Sequence, residues 1–148
     1  MLKDNSTLTE FPLHSFDKLR YSDTDRQGHI NNAVFATFLE TGRVEFLYKM
    51  ATPIAEPGTA FVIARLELDL RQEMTWPGEV AIGTKIESVG RSSLKLRQGL
   101  FQNDQCVALA LTVIVLIDAQ THRSSAFSPA SLTRIAALQT GVTAPSVS

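Results

Sequence analysis

A polar, turn-rich segment that runs straight into a helical hydrophobic repeat constrains this chain more than any other feature. Tyr21-Ser22-Asp23-Thr24-Asp25-Arg26-Gln27-Gly28-His29-Ile30-Asn31-Asn32 gathers carboxylates, a glycine, a histidine and an Asn pair within one stretch. Glycine permits positive φ, and Asn and Asp favour turns and helix caps. From Ala33 to Met50, Val34, Phe35, Phe38, Leu39, Phe46, Leu47 and Met50 recur at the spacing of one helix face. A carboxylate is therefore expected beside a helix N-terminus, where exposed N–H groups and the positive dipole end stabilise charge developing on a substrate oxygen.

The remainder of the chain reads mostly as sheet. A first strand is expected around His14 to Tyr21. Leu66, Leu68 and Leu70 alternate with Arg65, Glu67, Asp69 and Arg71, the period-two pattern of a half-buried strand. Val80, Ile82, Thr84 and Ile86 repeat the pattern, as do Leu94 and Leu96 with Lys95 and Arg97. Cys106 to Ile117 is almost wholly apolar and predicts a strand buried on both faces. Ser128-Pro129 predicts a capped short helix reaching about Leu138. One long helix followed by consecutive antiparallel strands defines an α+β layer architecture in which the helix covers a sheet face. The expected organisation is a flexible arm over 1–10, one domain over 11–139 and a flexible tail over 140–148.

At 148 residues and 44% hydrophobic, the chain has enough apolar content for one sizeable core. A formal net charge of −1 without a basic tract leaves no electrostatic footprint for nucleic acid. No apolar stretch is long enough to span a bilayer and Met1 to Phe11 lacks the apolar core of a signal peptide, so a cytoplasmic, membrane-free protein is expected. The lone Cys106 reads as a buried filler rather than a nucleophile. His14 and His122 stand alone without metal-ligand spacing, and no metal site is expected.

The run RYSDTDRQGHINNAVFATFLETGRVEF, Arg20 to Phe46, resembles the signature of the hotdog-fold acyl-thioesterases, in the branch related to hydroxybenzoyl-CoA thioesterase and the plant acyl-ACP thioesterases. Asp25, Gly28-His29-Ile30-Asn31-Asn32, and Glu40 with Arg43 carry the match. It continues in order through Arg65 to Leu70, Trp76-Pro77-Gly78-Glu79, Gly90-Arg91-Ser92-Ser93 and Asp118 to Arg123. The resemblance implies a hotdog fold, a long central helix wrapped by an antiparallel sheet. It also implies a homodimer or tetramer whose sheets pair edge to edge and share two clefts, and hydrolysis of an acyl-CoA with no cofactor beyond the CoA of the substrate.

By the same resemblance Asp25 is the catalytic base or nucleophile, and the Asn32 N–H faces the thioester oxygen. His29 occupies the family's motif histidine, and Gln27 stands where acyl-ACP thioesterases carry an Asn that positions water. Gly28 and Asn31 line the substrate, and Arg91, Ser92 and Ser93 lie near pantetheine and nucleotide. Each has a plainer reading beside it. Asp25 is also a natural turn former or cap, Asp23 reads as structural, and Gly90-Arg91-Ser92-Ser93 is also an ordinary turn with a solvated arginine. Glu40 and Arg43 have the i,i+3 spacing of a helical ion pair, and Glu40 also stands where a second hotdog lineage carries its carboxylate. Phe35, Phe38 and Phe61 fit an acyl pocket or a plain core. The alternative functions are an acyl-ACP thioesterase, a hotdog dehydratase and a noncatalytic acyl-CoA sensor.

Overall fold

A long helix lies across one face of a five-stranded sheet in the computed structural model, which describes residues 6–49 and 53–140. The elements are β1 (Leu13–Lys18), α1 (Asn32–Leu47), β2 (Thr59–Leu70), β3 (Glu79–Val89), β4 (Ser93–Gln102), β5 (Gln105–Asp118) and α2 (Pro129–Gln139). All sheet pairings are antiparallel, and the strand order is β1-β3-β4-β5-β2. This is the expected α+β class, and α1 begins and ends close to its expected bounds, although Met50 lies outside the described residues. β1 ends at Lys18, before a 3-10 turn at Tyr21–Asp23 takes up the residues expected to prolong it.

The arm expected over 1–10 is partly structured. Residues 1–5 lie outside the described part, but Leu8–Glu10 forms a 3-10 turn whose Glu10 carboxylate accepts from the Thr7 N–H at 2.6 Å. Leu8 then joins Phe11, Phe101, Cys106 and Leu109 in a small apolar cluster on the outer face of the sheet. Cys106 is buried there, and burial pushes its thiol pKa up. Of the expected tail, Thr140 closes α2 and residues 141–148 lie outside the described part.

The inner face of the sheet holds the main core. Leu94, Leu96 and Leu100 of β4 and Val80 and Ile82 of β3 are fully buried beneath α1 or the layer formed by Ile54, Phe127 and α2. Gly42 sets how closely α1 approaches, because a Cβ at that position would lie 2.6 Å from Ile82 Cγ2. The α1 flank carrying Thr41 faces β1, where the Thr41 hydroxyl reaches toward the Asp17 carboxylate at 3.5 Å. Helix geometry puts Ala36, Glu40 and Arg43 on the opposite flank.

β2 departs from the expected half-buried strand. Its alternation is present, with Leu66 opposite Thr112 and Leu70 opposite Ala108, yet Leu66 is 39% and Leu70 44% exposed. The reason is placement, since β2 is the edge strand and α1 lies chiefly against β1, β3 and β4. β5 departs from its expectation too, on the outer face. It is buried on both faces from Cys106 to Ala110, whereas Leu111, Val113 and Val115 on the outer face are only half-buried.

Candidate functional site

The polar segment folds as a tight loop organised by one carboxylate. Asp25 Oδ1 accepts from the Gln27 N–H at 2.8 Å and the His29 N–H at 3.1 Å, while the Asp25 N–H donates to the His29 carbonyl at 2.8 Å. Gly28 sits between them with φ of 79°, a conformation that glycine adopts without strain. Asp25 therefore does serve as the turn former of its plainer reading, through one oxygen, and its side chain remains exposed. Gln27 and Gly28 are exposed at the tip of the loop.

Asp23 is the second carboxylate and has a different job. Only 5% exposed, it accepts from the Arg20 N–H and guanidinium, and its carbonyl accepts from the Asn31 N–H at 2.8 Å. That set of bonds ties the two ends of the loop together, as the structural reading of Asp23 expects. Asn31 then caps α1, with Oδ1 accepting from the Ala33 N–H at 3.1 Å. Asn32 is the first helical residue, so its N–H belongs to the first turn, where no intrahelical acceptor exists. One short loop thus gathers Asp25, Gln27, Gly28, His29, Asn31 and Asn32 at the positive end of the helix.

Sequence reasoning missed Glu73. The stretch between β2 and β3 crosses beneath the loop, where the Ile30 N–H donates to the Met74 carbonyl at 2.7 Å and His29 bridges Thr75. This crossing brings Glu73 Oε2 to 3.2 Å from His29 Nε2. The imidazole is 27% exposed and its Nδ1 is buried without a hydrogen-bond partner, whereas Glu73 is 70% exposed. No periodicity or motif marks Glu73. The available signal was an unpatterned acid in the turn segment before Trp76-Pro77-Gly78.

One side chain fastens Thr75 of this crossing to the sheet. Gln102, at the end of β4, accepts from the Thr75 N–H at 3.1 Å and donates to the Thr75 carbonyl at 2.7 Å, reproducing a β-ladder pair with an amide. Tyr21 and Trp76 stand edge to face beside it, with ring centroids 5.3 Å apart, and both are largely exposed.

Arg91, Ser92 and Ser93 lie elsewhere. They form the turn joining β3 to β4, while the Asp25 loop adjoins the start of β3, and an 11-residue strand spans roughly 36 Å. The turn is well anchored, with the Ser92 carbonyl accepting from the Leu116 N–H at 2.7 Å and the Arg91 carbonyl from the Phe127 N–H at 3.0 Å. Within one chain these residues do not meet Asp25.

The expected Glu40–Arg43 ion pair does not form. Glu40 is exposed, whereas Arg43 is 5% exposed and turns toward the sheet, where Nη1 donates to Gln98 Oε1 over 3.4 Å. Burial pulls the pKa of this guanidinium down, and the nearby Glu40 charge opposes the shift. Among the described residues no group of three or more His, Cys, Asp or Glu is placed to hold a metal, and no helix is long and apolar enough to cross a membrane.

An antiparallel sheet wrapped on a central helix, with a capped polar loop at the helix start, defines the hotdog class of α+β proteins. Residues 19–135 match the family model of the Thioesterase-like superfamily, and the chain belongs to that family. A thioesterase from Thermus thermophilus, solved with coenzyme A and zinc, is 30% identical and superposes with a TM-score of 0.76 over 88% of this chain and 96% of that one. A predicted thioesterase from Bacillus stearothermophilus is 27% identical, with a TM-score of 0.75 over 90% of this chain and 98% of that one. DHNA-CoA thioesterase from Staphylococcus aureus, 19% identical, shares the fold with a TM-score of 0.75 over 86% of this chain and 93% of that one. The uncharacterized protein YsmA of Bacillus subtilis (strain 168) is 34% identical over 89 residues, which span 60% of this chain and 60% of the length of that relative.

Proposed function

We propose that the protein is an acyl-CoA thioesterase in which Asp25 activates water or attacks the thioester carbonyl. The observation that carries this reading is the Asp25 carboxylate at the start of α1, with one oxygen fixed by two backbone N–H groups. Fixing Oδ1 orients the carboxylate without a side-chain partner and leaves the second oxygen for water or the substrate carbon. The Asn32 N–H, at the positive end of the helix, polarises the carbonyl and stabilises the oxyanion. Glu73 Oε2, 3.2 Å from His29 Nε2, favours one orientation of the imidazole by electrostatic attraction, and His29 and Gln27 order the water.

The second half of the site comes from another copy of the chain. β2 is an unpaired edge, and a two-fold axis joining it to β2 of a second copy makes an antiparallel pair. Such an axis exchanges the two ends of the sheet. The second copy's Arg91-Ser92-Ser93 turn then lies at the end that carries the first copy's Asp25, where a cation and two hydroxyls suit the phosphates and pantetheine of CoA. Gly28 and Asn31 line the substrate between them. The uncovered leucines of β2 supply an apolar surface for the acyl chain.

The test is thiol release across acyl-CoA esters of graded length, with acyl-ACP beside them. Turnover of at least one acyl-CoA, reduced about 100-fold or more by Asp25→Asn, is the expected result. Binding without thiol release assigns the noncatalytic sensor instead, and turnover of acyl-ACP alone reassigns the carrier.

A further inference from the structure

The outer face of the sheet carries a cavity that the hydrolytic reading does not use. Phe16 of β1, Ala81 of β3 and Phe101 of β4 are ladder neighbours in one row across that face. Ala81 is the small member between two aromatics. In the next row, formed by His14, Gly83 and Gly99, the Phe11 ring fills the space, since a Cβ at Gly83 would lie 2.6 Å from it. Above Ala81 the space stays open as a cavity of about 660 Å³, the size of a small-molecule site.

Its walls are built before any ligand arrives. The turn at Leu8–Glu10 forms one side, and His14 Nε2 holds it by donating to the Leu8 carbonyl at 3.0 Å and the Phe11 carbonyl at 2.7 Å. The hairpin residues Asn103 and Asp104 form another, with the positive φ of a tight two-residue turn. Phe101 is buried with Phe11 edge-on against it, their ring centroids 6.0 Å apart, whereas Phe16 is 60% exposed. Glu79 and Asp104 put two carboxylates on the lining, and among the described residues no lysine or arginine lines it. Lys18, the ladder partner of Glu79, is exposed outside the lining. We propose that this cavity binds a small organic cation with an apolar body, an alkylamine or arylalkylamine whose ammonium meets Glu79 and Asp104 while its hydrocarbon part packs between Phe16 and Phe101.

Each half of that ligand answers a different observation. Hydrocarbon against the two phenylalanines supplies most of the affinity, and an ammonium beside an aromatic face gains a cation–π attraction. The carboxylates select the sign of the charge, and at the surface they do so weakly and less at high salt. Because the cavity lies across the sheet from α1, the inference is independent of Asp25 and of the dimer.

The experiment follows backbone amide shifts of the full chain during titration with phenethylamine, phenethyl alcohol and phenylacetate, which share one apolar body and differ in charge. The expected result is shifts centred on Ala81 and Asp104, with the alcohol bound about five-fold more weakly than the amine and the acid more weakly still. Glu79→Gln combined with Asp104→Asn should remove the preference for the amine and leave alcohol binding unchanged, because Asn keeps the turn at position 104. Ala81→Leu, which fills the depression, should abolish binding of both. Equal affinity for amine and alcohol in the unaltered chain overturns the inference, as does an amine preference that survives the double substitution, or no binding of the amine at millimolar concentration. Shifts at this patch that follow protein concentration instead of amine assign the cavity to a second copy of the chain and overturn it as well. Should Ala81→Leu fail to fold, the double substitution decides.

Discussion

The two halves of the inner sheet face have similar sequences and opposite fates. In the covered part, Leu94 and Leu96 of β4 alternate with Lys95 and Arg97 and are fully buried, while Leu66 and Leu70 of β2 alternate with charges and remain about two-fifths exposed. The contrast teaches that alternation marks a face that must be covered without saying what covers it. One helix of 16 residues lies chiefly against β1, β3 and β4, Ile54, Phe127 and α2 cover a further part of the face, and β2 stays partly open. The polar loop lies at the end of the sheet where β2 and β3 meet the crossing segment, so the candidate chemistry borders the open half.

The sharpest way to break this contrast is to truncate a leucine in each half. Leu96→Ala should lower the free energy of unfolding by about 2–5 kcal/mol in urea titrations, because it leaves a cavity under the helix. Leu66→Ala should cost the dissociated chain less than about 1 kcal/mol and show instead as weaker association. Equal losses in the dissociated chain would erase the distinction. Asp25→Asn comes next, with turnover down about 100-fold or more, equivalent to about 2.7 kcal/mol of barrier. Its stability should hardly change, because the amide oxygen still accepts from the Gln27 and His29 N–H groups. Glu73→Ala should reduce turnover by about ten-fold with KM nearly constant, and Glu73→Gln should retain more activity because its amide oxygen keeps partial negative charge beside the imidazole.

The smallest effect is a control outside both halves. The N–H groups of Thr121 and then Gln120 hold the Asp118 carboxylate below its ordinary pKa. A depressed folded pKa contributes stability that is present above the unfolded value near 3.9 and lost as pH falls through the folded one. Asp118→Asn should therefore lower the thermal midpoint slightly at pH 6, and the difference from the unaltered protein should fade toward pH 2.

Local chemistry is legible in the sequence, and relations across space are less so. The α1 cap at Asn31, the α2 cap at Ser128 followed by Pro129, and the strand alternations depend on neighbours a few residues apart, and the structure has them close to where they are expected. Arg43 defeats the sequence reading because i,i+3 spacing permits an ion pair with Glu40 but does not weigh it against burial toward Gln98. Glu73 is invisible there because it meets His29 only after the chain has passed through β2 and crossed beneath the loop. The 3-10 turn at Leu8–Glu10 reads as a loose arm since its polar residues hide one apolar contact, Leu8 on the Phe11 cluster.

The amide of Gln102 holds the crossing segment to the end of β4, and this division of labour bears on how such a protein can diverge. The sheet behind it is secured by long backbone ladders that no side-chain replacement removes. On its sheet side Thr75, between Glu73 and Trp76, is held by one uncharged amide. Exchange of that glutamine for glutamate withdraws the donor to the Thr75 carbonyl and leaves every reacting group untouched. The position of Glu73 beside His29 is therefore adjustable from behind the loop, by a substitution that a comparison of sequence motifs would pass over.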